Sequence, residues 1–262
     1  MKFGVCVPAN ERENIEAIAQ AGADYIEMGL GSVEAFKEDE MQEFSEYVKT
    51  LGVPVYAFCM IVPWRYRISG DAPTHEELVK YFDFMLNKTK TLGASCWVLG
   101  SGKTRKMPED GNREACKEQI LGLLKLAAPV FEKHGVTLVI EPLNKNEDNM
   151  INTVADGMEY VQAVASPAIK GLSDFFHADL EGEDFSDYAG YGDNLRHCHI
   201  AAPERALPLP GDGQEEKYKA FLSSLKNMGY EGGLTIEVRR GDTFRDQIAA
   251  SLSYLRSLWA EV

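Results

Sequence analysis

Eight short β-rich runs recur along this chain, at residues 3–7, 24–28, 53–59, 96–99, 137–141, 170–174, 196–200 and 234–238. Most are unbroken apolar stretches rather than alternating ones, the pattern of a parallel sheet covered on both faces. Between them, at 11–21, 38–51, 75–92, 113–134, 153–165, 214–228 and 243–259, apolar residues fall three and four apart and predict amphipathic helices. The sixth connection, residues 181–194, is short and predicts only a brief helix. Several helices end alike, as Ala21-Gly22-Ala23-Asp24, Leu51-Gly52-Val53, Leu92-Gly93-Ala94, His134-Gly135-Val136 and Met228-Gly229-Tyr230. A glycine just past a helix takes the left-handed turn, and the next strand begins within a few residues. A helix-Gly-strand unit repeated around eight strands predicts a closed (β/α)8 TIM barrel rather than an open doubly wound sheet. No linker or low-complexity tract interrupts residues 1–262, which are expected to form a single barrel domain.

Composition narrows the partners. At this length a chain buries roughly three quarters of its unfolded surface, so neither disulfides nor a structural metal are needed for stability. Forty-one acids against 27 Lys plus Arg leave a net charge of -14, which repels phosphate backbones and anionic headgroups; neither nucleic acid nor a membrane is expected as a partner. Five scattered cysteines with no Cys-X-X-Cys pair suit reduced thiols in a cytosol. Met1-Lys2-Phe3-Gly4-Val5 enters a strand at once, and no run approaches 18 apolar residues. The expectation is a soluble, cytoplasmic protein.

In such a barrel the loops after the strands carry function. Two are long: 60–74, with Trp64, Arg65, Tyr66 and Arg67, and 100–112, with Lys103, Arg105 and Lys106. The first reads as a lid or rim, or as an ordinary packing loop. Four successive strand ends then carry ionisable residues: Leu138-Val139-Ile140-Glu141, Gly171-Leu172-Ser173-Asp174, Leu195-Arg196-His197-Cys198-His199 and Leu234-Thr235-Ile236-Glu237. Taken singly, each acid is equally well explained by a salt bridge, and His199 by a satisfied core position. Together they bring up to three like charges to one rim, which is costly unless a cation neutralises them. Three carboxylates and an imidazole, with no thiolate, suit one divalent ion, Mn2+ or Mg2+ first and Co2+ or Zn2+ next. Arg205, six residues beyond His199, can reach over the strand end to hold an oxyanion or hydroxyl. His197, two residues below His199, reads as lining the core. Arg239, two beyond Glu237, reads as a partner for a ligand carboxylate or for a phosphate.

Glu141 with Glu147, Asp174-Phe175-Phe176-His177, His197-Cys198-His199 with Glu204-Arg205 and Pro210-Gly211, and Glu237 together resemble the xylose isomerase-like sugar isomerase and epimerase family, most of all its ketose 3-epimerase branch. The resemblance spans the whole chain. It implies that Glu141, Asp174, His199 and Glu237 bind one divalent metal and that His177, Arg205 and Glu147 hold substrate oxygens. It also implies that Glu141 and Glu237 are the catalytic proton-transfer pair. The chain departs from the family pattern at Ala201-Ala202-Pro203-Glu204, ahead of the arginine, and at Val5, Cys6 and Val7, where an aromatic is expected near the sugar. Both departures bear on which sugar is taken.

The activity so implied is metal-dependent epimerisation of a ketose, free or phosphorylated, through a metal-stabilised enediolate. One glutamate removes a carbon-bound proton and the other returns one from the far face. Were only one acid in reach, the same chemistry would give aldose-ketose or hydroxypyruvate-type isomerisation; an acid at the leaving hydroxyl would give a keto-inositol-type dehydratase. An endonuclease IV-like hydrolase shares the barrel but needs more histidine ligands and a basic track, against five histidines and a net charge of -14. A non-enzymatic sugar-binding role would be marked by a missing ligand. A homo-oligomer is compatible with all of these.

Overall fold

Each apolar run of the sequence becomes a strand, with ends within two residues of the expected ones. In the computed structural model, which describes residues 1–186 and 188–262 in full, these are β1 (Lys2–Cys6), β2 (Tyr25–Gly29), β3 (Val55–Cys59), β4 (Cys96–Leu99), β5 (Thr137–Ile140), β6 (Ile169–Asp174), β7 (Leu195–Ile200) and β8 (Gly233–Ile236). They pair in chain order and close into a barrel. The seam is parallel, from Lys2↔Gly233 to Val5↔Ile236. The helices around it are α1 (Arg12–Gln20), α2 (Gly31–Glu34), α3 (Glu38–Thr50), α4 (His75–Thr89), α5 (Gly102–Arg105), α6 (Arg113–His134), α7 (Val154–Val164), α8 (Phe175–Glu181), α9 (Glu215–Asn227) and α10 (Phe244–Glu261). The glycines expected to end helices, Gly22, Gly52, Gly93, Gly135 and Gly229, all have φ between +65 and +78.

The sixth connection differs from expectation. Its helix is α8, which starts directly at the end of β6, and residues 185–190 and 192–194 form only 3-10 turns. Asp174 allows the early start: its Oδ1 accepts the Phe176 N–H at 2.9 Å, capping the helix with the last residue of the strand. Two short helices that apolar spacing does not foretell, α2 and α5, lie in the strand-to-helix loops. Among the described residues, no helix is long and apolar enough to cross a membrane. All five cysteines are free and buried.

The sheet separates two apolar clusters. Alternate residues such as Phe3, Val5, Ile26, Met28, Trp97, Leu138 and Ile140 pack outward against the helices. Cys6, Ala57, Cys59, Cys96, Val98, Val139 and Leu172 form a second cluster in the lumen. The rest of the lumen is polar: Tyr25, Glu27, His197, His199 and Thr235 are fully buried there. Tyr25 fits because its neighbours lack side chains. A Cβ on Gly4 would overlap the Tyr25 ring, and one on Gly233 would press on its hydroxyl end. Gly4→Ala is therefore expected to cost about 1–3 kcal/mol of stability through overpacking, read as a lowered urea midpoint with unchanged slope. An unchanged midpoint would contradict this packing.

Candidate active site

The four strand-end residues meet. Glu141 follows β5, Asp174 ends β6, His199 is the penultimate residue of β7 and Glu237 follows β8. One ligand atom from each lies within 4.8 Å of the others. Nδ1 of His199 is 3.1 Å from Glu141 Oε1 and 3.6 Å from Glu237 Oε2. Arg205 enters from the loop after β7. Its Nη1 donates to Asp174 Oδ2 at 2.9 Å and to Glu237 Oε2 at 2.7 Å, and its guanidinium lies 4.3 Å from the centre of the Phe176 ring. Glu204 and Arg205 both take left-handed φ, 62 and 60, a conformation costing on the order of 1–2 kcal/mol each in non-glycine residues. The ion pairs and the Arg239 N–H bond to the Arg205 carbonyl, 2.8 Å, hold the loop there.

His177 and Glu147 complete the network. Nδ1 of His177 accepts the backbone N–H of Asn144 at 3.1 Å, so the proton of a neutral ring sits on Nε2. Nε2 faces Arg205 Nη2 at 2.7 Å and lies 3.6 Å from Asp174 Oδ2, the oxygen that also accepts from Arg205 Nη1. Asn144 Nδ2 donates to Glu147 Oε1 at 3.1 Å, and Glu147 is exposed at the rim. All seven residues singled out in the sequence thus lie in one cluster.

The supporting residues were less visible. Arg105, in the long segment between β4 and α6, is fully buried. It donates to Asp148 Oδ2 at 2.6 Å, to the Leu99 carbonyl at 3.0 Å and to the Glu141 carbonyl at 2.6 Å. It therefore ties the ends of β4 and β5 together and fixes the backbone of Glu141. Gly100 leaves room for the same residue, since a Cβ there would overlap the Glu141 carboxylate. Below the mouth, Glu27 of β2 bonds to both His197 and His199. The signal for it was a lone charge inside an apolar strand. Cys6 and Cys59, whose Sγ atoms are 3.4 Å apart, lie beside Glu237. In the loop after β3, Trp64 is 84% exposed and Arg65 pairs with Glu34. The Arg239 side chain is exposed.

The electrostatics follow from crowding. Burial, with the charges of Glu237 and Asp174, pushes the Glu141 carboxyl up against the pull of its His199 bond. Burial also acts on Asp174 and Glu237, but positive charge outweighs it and holds both below the usual carboxylate range: chiefly Arg205 for Asp174, and His199, then Arg205, for Glu237. For His199, burial disfavours the charged ring, yet Glu27 and Glu237 hold it well above the ordinary value. Ligand atoms around Mg2+ at about 2.1 Å would be separated by about 3–4.2 Å in octahedral geometry, a range that includes both spacings at His199. The oxygen-rich donor set is compatible in its chemistry with a divalent ion.

Known proteins agree with this architecture. A D-psicose 3-epimerase from Agrobacterium fabrum is 25% identical over 245 residues, 89% of this chain and 82% of that protein. A 3-dehydro-D-guloside 4-epimerase from Escherichia coli is 29% identical over 261 residues, 95% of each. Among solved structures, a D-psicose 3-epimerase crystallised in the presence of D-fructose superposes with a TM-score of 0.85 at 19% identity, covering 99% of both chains. The family model described as the xylose isomerase-like TIM barrel matches residues 15–258. Since that match runs from α1 into α10 and takes in every residue of the cluster, the chain belongs to the xylose isomerase-like TIM barrel family.

Proposed function

We propose that this chain is a divalent-metal-dependent sugar epimerase, acting as a ketose 3-epimerase by moving a proton at the carbon beside a carbonyl. The observation that carries the reading is the meeting of Glu141, Asp174, His199 and Glu237 at one mouth. Those four residues would hold the ion, Mn2+ or Mg2+ by donor chemistry. When bound, it would supply Lewis-acid polarisation of the carbonyl and offset the charge that builds on the sugar oxygens.

The chain's own groups do the rest. Glu141 and Glu237 are rooted three strands apart around the barrel, so their carboxylates approach a bound sugar from different sides. One removes the proton from the carbon and the other returns a proton to the opposite face, which inverts that centre. Return by the same carboxylate to the neighbouring carbon would instead give aldose-ketose isomerisation. His177 Nε2 and Arg205 Nη2 lie side by side at the mouth, and a sugar hydroxyl or carbonyl oxygen placed before both could accept from them. Glu147, bonded to Asn144, would accept from a sugar hydroxyl at the rim. A neutral small sugar suits this acid-rich mouth, whereas a nucleic-acid backbone does not.

A second reading shares the chemistry one carbon along: epimerisation at carbon 4 of a 3-keto glycoside. It is favoured by the 29% identity with the guloside 4-epimerase over 95% of both lengths.

Two measurements test the proposal. With the manganese-loaded protein in deuterated water, solvent deuterium should appear at carbon 3 of a ketose, or at carbon 4 of a 3-keto glycoside under the second reading. Glu141→Gln and Glu237→Gln should each lower turnover by about 10²–10⁴-fold with circular dichroism unchanged. Full turnover in either variant, or no exchange with any ketose or 3-keto glycoside tested, would contradict it. Separately, Mn2+ at 100 times its dissociation constant should add about 2.7 kcal/mol to the EDTA-dialysed protein, raising the thermal midpoint by roughly 5–10 °C for a chain of this size. Equal midpoints with and without the ion would argue against the centre.

A further inference from the structure

Glu27 is a carboxylate with no evident reason to be where it is. It sits in the middle of β2 and is 0% exposed, in a lumen otherwise filled on its far side by Ala57, Cys96, Val98, Val139 and Leu172. Among the described residues, no lysine or arginine pairs with it; its ion-pair partners are the rings of His197 and His199. Burying a charge in such a place is costly, and an apolar side chain of similar volume would serve a purely structural purpose at least as well.

Its bonds point to one neighbour. Oε1 lies 3.0 Å from Nε2 of His199. Oε2 is held in place by the others: Nε2 of His197 at 2.8 Å and the Thr235 hydroxyl, which donates to it at 2.8 Å. Thr235 in turn is 2.9 Å from the Tyr25 hydroxyl. A carboxylate only accepts, so the His199 nitrogen facing it must carry a proton. Nδ1 faces carboxylates too, Glu141 Oε1 at 3.1 Å and Glu237 Oε2 at 3.6 Å, so the charged ring donates from both nitrogens. Of its two protons, the one on Nδ1 points at the acids that would hold the ion and is the one such an ion would displace, while the Nε2 proton stays in the Glu27 bond.

We infer that Glu27 is a positioning residue for the metal centre: it fixes the tautomer and tilt of His199 so that Nδ1 is presented as a ligand. The inference rests on the metal-dependent reading above. Such partners of a ligating imidazole orient the ring and raise its basicity, and losing one typically weakens metal binding about 10–100-fold. His197 acts on the same carboxylate from below, which gives a use to a histidine placed away from the mouth. β2 adds no residue to the four-ligand set, yet the centre depends on it.

The test is a titration of EDTA-dialysed full-length protein with Mn2+ by calorimetry, wild type beside Glu27→Leu. Leucine fills a similar volume but accepts no hydrogen bond, so His199 Nε2 loses its partner. The expected result is about 10–100-fold weaker binding in a variant that still unfolds cooperatively. Equal affinities would overturn the inference while leaving the metal centre intact; a wild-type protein that takes no Mn2+ would remove both. Should the variant not fold, 15N-histidine spectra of the zinc-loaded wild type decide. His199 should carry its proton on Nε2 with Nδ1 bound to the ion, and the reverse assignment would overturn the inference.

Discussion

Mutual repulsion is the constraint that shapes this molecule's functional end. Three carboxylates stand close to one another at the barrel mouth, and a fourth, Glu27, lies buried just beneath. Such a set disperses unless positive charge and rigid backbone hold it. The charge comes from Arg205, shared between Asp174 and Glu237, and from the His199 ring. The rigidity comes from barrel closure, from the helix cap that Asp174 makes with its own strand end, and from Arg105 gripping the Glu141 carbonyl. A divalent cation would neutralise the same acids more completely than one guanidinium does, which is how crowding becomes affinity.

The division of labour follows the barrel's two directions. Around the circumference, β5 to β8 each deliver one side chain to the mouth, so the cluster is assembled from residues as far apart as Glu141 and Glu237 without any local motif. Along the axis, alternate residues of each strand point inward, so His197 lies two positions below His199 and Glu27 meets both from β2. The lower layers are filled by the Tyr25 ring in the space left by Gly4 and Gly233. Chemistry at the top thus rests on packing at the bottom through one line of hydrogen bonds.

Much of this was readable in the sequence, for a physical reason. Strands buried on both faces are mostly apolar, so an acid directly following such a run, as at Glu141 or Glu237, marks the strand's exit into the mouth. Glycine after a helix marks the return. What could not be read depended on register and on loops folding against each other. Glu27 is one charge in an apolar strand, and only closure brings it to His199. Arg105 and Asp148 pair between two different loops, and neither residue alone distinguishes a buried clamp from a solvated side chain. The early start of α8 was hidden because Asp174 serves as strand end and helix cap together.

The central claim is that these four residues share one cation. Anomalous diffraction at the manganese edge, from crystals soaked in Mn2+, tests it directly. The account predicts a single strong peak within about 2–2.3 Å of carboxylate oxygens of Glu141, Asp174 and Glu237 and of Nδ1 of His199. A map with no peak among these atoms, or with the ion held elsewhere in the barrel, would contradict it.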